Sequence, residues 1–130
     1  MSVGLLIMSH NGVGPAMLGT ASMMMEACPL KAKLLTASRD SNPDEILDNA
    51  KALVQELNEG DGVLILIDLF GSTPSNVAQL LLQYRDVRIV TGLNLSMLIR
   101  VLNYPSLGID ELTEKALSGG KEGILLVKKK

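Results

Sequence analysis

Short apolar runs alternate with longer stretches of helical period along the whole chain, and this alternation constrains the fold more than any other feature. The runs fall at residues 3–8, 32–36, 62–67 and 87–91. Each is followed by a segment of helical character, at residues 16–27, 43–57, 74–84 and 95–102. Runs that are apolar on both faces, such as "GVLILI", suit buried parallel strands covered by helices on both sides. The pattern predicts a doubly wound α/β fold with a mainly parallel sheet in the order 2-1-3-4. A further helix is predicted over residues 110–117, closed by Ser118-Gly119-Gly120, and a short apolar strand over residues 123–127. At 130 residues, with no repeat or linker, the chain is expected to form a single domain over 1–130.

Helix starts are written into the sequence. "SNPDE" supplies Asn42 as a cap, Pro43 at the first helical position, and Asp44 and Glu45 in the positively polarised first turn. In "GSTPSN", Pro74 opens the third helix, so Gly71, Ser72 and Thr73 form the loop that enters its N-terminus. Met23 to Met25 are consecutive and cover several directions of the first helix, which reads as a broadly buried helix at a subunit contact.

Composition excludes several classes. The net charge of −2, with both signs interleaved, lacks the basic footprint of a nucleic-acid binder. No segment approaches the roughly 18 continuous apolar residues that span a bilayer, and no basic leader precedes the first apolar run, so neither insertion nor export is expected. One Cys and one His are too few for a structural zinc site, and no metal or cofactor is expected. Cys28 cannot form an internal disulfide and has no basic sequence neighbours, so it reads as a packing residue in a reducing, intracellular setting. The "VKKK" end reads as a solubilising tail.

In an open α/β sheet, ligands bind beyond the carboxyl ends of the strands, where adjacent connections leave to opposite faces. The loops at those ends carry Ser9-His10-Asn11-Gly12, then Thr36 to Asp40 with Ser38 and Arg39, then Asp68 to Thr73, then Gly92-Leu93-Asn94. With strands 1 and 3 adjacent, His10 falls beside Asp68. A carboxylate behind a histidine fixes its tautomer and leaves the other ring nitrogen as nucleophile or base. The loop of Gly71, Ser72 and Thr73 adds amides and hydroxyls suited to an anion. Histidine, carboxylate and anion cradle together describe a phosphohistidine site, although each part alone is also common as plain structure.

These residues resemble the enzyme IIA domain of the mannose-type sugar phosphotransferase system over essentially the whole chain. "GLLIMSHNG" resembles its first strand and phosphorylated histidine loop, "VLILIDLFGSTPSN" its third strand and aspartate loop, and "VTGLNLSMLIR" its fourth strand with Gly-x-Asn-x-x-Met-Leu. "ALSGGKEGILLV" is similar to the C-terminal end of proteobacterial members. The resemblance implies a phosphoryl carrier in the cytoplasm. His10 would accept the group from the phosphocarrier protein HPr and pass it to a IIB protein or domain, with Asp68 orienting the imidazole. Ser72 and Thr73 match the loop that approaches the phosphoryl group, where many members have Gly-Gly-Ser-Pro. The resemblance also implies a homodimer in which the last strand, residues 123–127, is exchanged and pairs antiparallel with the partner's sheet.

Physically, a phosphoramidate on imidazole stays reactive because protonated imidazole leaves readily. Leu69, Phe70 and Met97 are candidates for limiting water and docking partners. Alternatives are a stand-alone regulatory IIA that signals by phosphorylation state, the phosphoryl-donor subunit of dihydroxyacetone kinase, a non-enzymatic anion-binding module, and a hydrolase using His10 as base. The last lacks a nucleophile-elbow serine.

Overall fold

The computed structural model describes residues 2–38, 40–84 and 86–129. Strands β1 (Gly4–His10), β2 (Ala32–Ala37), β3 (Val63–Ile67) and β4 (Val87–Thr91) form one sheet in the order β2-β1-β3-β4. All its pairings are parallel. They alternate with helices α1 (Val13–Met24), α2 (Pro43–Leu57), α3 (Thr73–Gln79), α4 (Leu95–Leu102) and α5 (Ile109–Glu122). The fold class, strand order and helix alternation expected from the sequence are therefore present.

Burial on both faces explains why the inner strands read as unbroken apolar runs. Leu5, Ile7, Leu64 and Leu66 pack with Ala21 of α1, Leu98 and Leu102 of α4 and Ala116 of α5. Leu6, Met8, Ile65 and Ile67 pack with Ile46 and Ala50 of α2 and Ala78 of α3. Full burial of each Leu or Ile contributes about 1.5–3 kcal/mol. A register slip of one residue would exchange the two faces of a strand at once, so the register is strongly fixed. Since α1 and α3 lie on opposite faces while β1 and β3 are neighbours, the crevice beyond those two strands is the switch point of the sheet.

Local signals held where they rested on capping. The Asn42 Oδ1 accepts the Asp44 amide at 2.8 Å and Pro43 opens α2. Helix α1 begins earlier than residue 16, with Pro15 inside its first turn, where a missing N–H leaves no bond unmade. It also ends earlier than residue 27, at Met24, beyond which Glu26 takes a φ of 63°. The third helix tightens into a 3₁₀ turn over Leu80–Gln83 instead of continuing as α-helix.

Three expectations need correction. Helix α5 is not closed by Ser118-Gly119-Gly120 but runs on to Glu122. Its glycines serve close packing: a Cβ on Gly119 would collide with the Arg100 Cβ, and one on Gly120 would lie 2.9 Å from the Met97 Cε. Met23 and Met24 are not buried; they are 77% and 64% exposed. Cys28 is exposed rather than packed, its thiol donating to the Leu30 carbonyl oxygen. Of the 123–127 segment, expected as a last strand exchanged between copies, Gly123 caps α5 and the Ile124 amide donates to the Lys121 carbonyl oxygen; the segment has no strand partner among the described residues, and Ile124 to Val127 are at least 78% exposed. A strand needs a neighbour for its amides, and the described residues offer none to Leu125, Leu126 and Val127.

Candidate functional site

The parallel pairing of β1 with β3 ends at Met8 and Ile67, so the next residues of each strand emerge side by side. His10 and Asp68 meet there. The Asp68 Oδ2 accepts the His10 backbone amide at 2.9 Å. The same carboxylate contacts the His10 Nδ1 through Oδ2 at 3.0 Å and Oδ1 at 3.2 Å. A carboxylate only accepts, so Nδ1 is the ring nitrogen that donates and Nε2 keeps its lone pair. The imidazole is 40% exposed and the Asp68 side chain 12%, so the carboxylate sits underneath and the ring faces solvent.

The turn carrying His10 is tied on three sides. Asn11 adopts a φ of 43°, in the left-handed region, and its amide donates to the Ala37 carbonyl at the end of β2. Beyond it, the Gly14 amide donates to the Ser9 Oγ. The loop after β3 turns at Gly71, whose φ is 82°. Ser72 caps α3: its Oγ accepts the Ser75 amide at 3.4 Å and donates to the Leu69 carbonyl oxygen at 2.6 Å. Its hydroxyl is thereby committed within the loop. Thr73 is the first residue of α3 and exposed, with no hydrogen bond to its hydroxyl among the described residues.

Of the apolar candidates, Leu69 and Phe70 are 61% and 72% exposed. Met97 is not at the surface; it is 4% exposed and packs under Gly120. Asn94 does not face the site either, since its Oδ1 accepts the Met97 amide and its Nδ2 donates to the Gly120 carbonyl oxygen. Ser38 is turned into its own loop, its amide donating to the Ser41 Oγ, and Arg39 lies outside the described residues. The feature that sequence reasoning passed over is Ser9. It was visible only as a hydroxyl beside the histidine, and nothing in the pattern announced its bond to Gly14.

Fold and site define a doubly wound α/β protein with a histidine–carboxylate pair at the switch point of its sheet. More particularly, the chain belongs to the family described as the PTS system fructose IIA component, whose model matches residues 4–117. It is 26% identical over its whole length to the mannose-specific EIIAB component of the phosphotransferase system of Escherichia coli K12, and spans 41% of that protein. Among solved structures, it is similar to the mannose/sorbose specific IIA subunit from Enterococcus faecalis, with a TM-score of 0.87, 26% identity, and coverage of 100% of this chain and 98% of that one. It is also similar to the PTS IIA protein associated with the fucose utilization operon of Streptococcus pneumoniae. There the TM-score is 0.74 and the identity 28%, covering 91% of this chain and 93% of the other. No helix among the described residues is long and apolar enough to cross a membrane.

Proposed function

We propose that this chain is a phosphoryl carrier of a phosphoenolpyruvate-dependent sugar phosphotransferase system, acting in the cytoplasm through His10. The observation that carries the reading is the double grip of Asp68 on the His10 amide and Nδ1, which leaves Nε2 with its lone pair toward solvent. Nε2 attacks the phosphorus of phosphorylated HPr. The donor's P–N bond breaks, its electron pair returns to the donor imidazole, and a P–Nε2 bond forms. The reverse exchange, with Nε2 leaving, hands the group to a IIB protein. Throughout, the proton stays on Nδ1 and is donated to the Asp68 carboxylate, whose negative charge offsets the positive charge of the phosphorylated ring. No metal or cofactor takes part.

The Thr73 hydroxyl and the loop amides near Gly71 and Ser72 meet the phosphoryl oxygens. Ser72 contributes by holding that loop in shape, since its own hydroxyl is committed to Leu69 and Ser75. Incubation with phosphoenolpyruvate, enzyme I and HPr should give an adduct that is labile in acid and stable in base. A wild-type protein that takes no label sinks the reading.

The working unit is a homodimer in which residues 124–127 of each copy pair antiparallel with β4 of the other. The outer edge of β4 carries no strand among the described residues, and a groove lined by Phe70, Leu82 and Ile89 runs beside it. Ile124 to Val127 are the apolar, exposed segment that matches such an edge. Deleting residues 124–130 should convert a dimer into a monomer by analytical ultracentrifugation. An unchanged dimer, or a full-length chain that is already monomeric, counts against strand exchange.

A further inference from the structure

Ser9 closes β1 on the face that carries Leu5 and Ile7, against α1, and it is 1% exposed. A buried hydroxyl at the end of an apolar face is costly unless it is bonded. Its partner is the Gly14 amide, 2.8 Å away. That amide belongs to the first turn of α1, where backbone donors have no partner within the helix. The cap residue Gly12 has no side chain to satisfy it. Ser9 therefore caps α1 from the strand that precedes it.

The bond closes a ring from Ser9 to Gly14, and the turn enclosed is the one that carries the imidazole. Gly14 is fitted to this contact: a Cβ there would lie 2.5 Å from the Ser9 Oγ and 3.0 Å from the Ile7 Cγ2. Within the ring, Asn11 is held at a φ of 43°, a conformation that a non-glycine residue keeps only when its surroundings enforce it. Asp68 fixes the ring nitrogen and the His10 amide, Ala37 fixes Asn11, and Ser9 fixes the exit of the turn into α1. Without the last tie, the backbone beneath His10 gains freedom while Asp68 still holds the tautomer.

We propose that Ser9 is a positioning residue for phosphoryl transfer at His10, locking the turn through the Gly14 amide without touching the phosphoryl group. The inference rests on the relay reading above. Transfer needs Nε2 aligned with the donor's phosphorus, and small misplacements of reacting groups cost large factors in rate.

The test compares Ser9→Cys, which keeps nearly the same volume but offers sulfur as a weak acceptor, with Ser9→Thr, which keeps the hydroxyl. Both are assayed for label transfer from phosphorylated HPr over a range of HPr concentrations. Ser9→Cys should lose about tenfold in kcat with little change in KM for HPr, and Ser9→Thr should stay within about twofold of wild type. Equal kcat for Ser9→Cys and wild type overturns the role of Ser9, as does a Ser9→Thr variant as slow as Ser9→Cys. A loss appearing only in KM also overturns it, because that would make Ser9 part of docking. A wild type that takes no label overturns the relay reading and the role of Ser9 together, whereas labelling with equal rates overturns the latter alone.

Discussion

Replacing His10 with alanine should abolish phosphoryl acceptance from HPr and leave the fold intact. His10 is the only histidine of the chain, so no second imidazole can take the group in its place. It lies beyond Met8 and Ile67, the last residues paired between β1 and β3, and its side chain is 40% exposed, so its removal opens no core cavity. Asp68 loses the ring as a donor but keeps the His10 backbone amide, which alanine also supplies. A mostly buried carboxylate with one remaining donor and access to water through the vacated space costs little, so the thermal midpoint should stay within about 5 °C of wild type. The check is the acid-labile label, read beside a melting curve. Label on His10→Ala above background would move the acceptor elsewhere, and an unfolded variant would assign His10 a structural role instead.

Much of this site was legible in the sequence because parallel topology turns strand order into adjacency. Once β1 and β3 are neighbours, the segments that follow Met8 and Ile67, the last positions paired between them, must lie together, and these segments carry His10 and Asp68. The inner strands β1 and β3 were legible because burial on both faces leaves no polar alternation to misread. What failed were inferences from local chemistry about residues whose roles are set across the fold. Gly119 and Gly120 read as a helix stop by propensity, yet they lie where α4 packs on α5, at Gly119 too closely for a Cβ beside that of Arg100. Met97 sits one turn from a polar loop in sequence, but the period of α4 directs it inward beneath Gly120. Asn94 belongs to a loop at the right end of the sheet, and its side chain is used to join α4 to α5. Residues 124–127 have the composition of a strand and no strand neighbour among the described residues, because pairing is a property of two segments and the sequence of one shows only half of it.

Asp68→Asn should slow phosphoryl transfer on the order of a hundredfold while preserving the fold, the second large effect expected at this site. The substitution keeps shape and volume, and the asparagine oxygen can still accept the His10 amide at the position now taken by Oδ2. What changes is the partner of Nδ1. The carboxylate presents two acceptor oxygens to it, at 3.0 Å and 3.2 Å. In asparagine one of them becomes an amide nitrogen that only donates. That donor stands 3.2 Å from Nδ1 and competes with the oxygen retained at 3.0 Å, so the preference for a proton on Nδ1 weakens and part of the population carries it on Nε2, the atom that must attack phosphorus. The same change removes the negative charge that offsets the phosphorylated ring, so both acceptance and retention of the group suffer. Nitrogen chemical shifts of the His10 imidazole separate this account from a simple loss of packing: the wild type should report a proton on Nδ1, and Asp68→Asn a shift toward protonated Nε2. Wild-type transfer rates in Asp68→Asn would remove Asp68 from the mechanism. A slow variant with unchanged imidazole shifts would leave charge compensation as its contribution and exclude tautomer control. The Ser9 variants should differ from it on this readout, because their turn is loosened while the carboxylate remains: transfer slows and the proton stays on Nδ1. Orientation of the ring and placement of the turn are thus separable, since they are held by different bonds on opposite faces of the same strand.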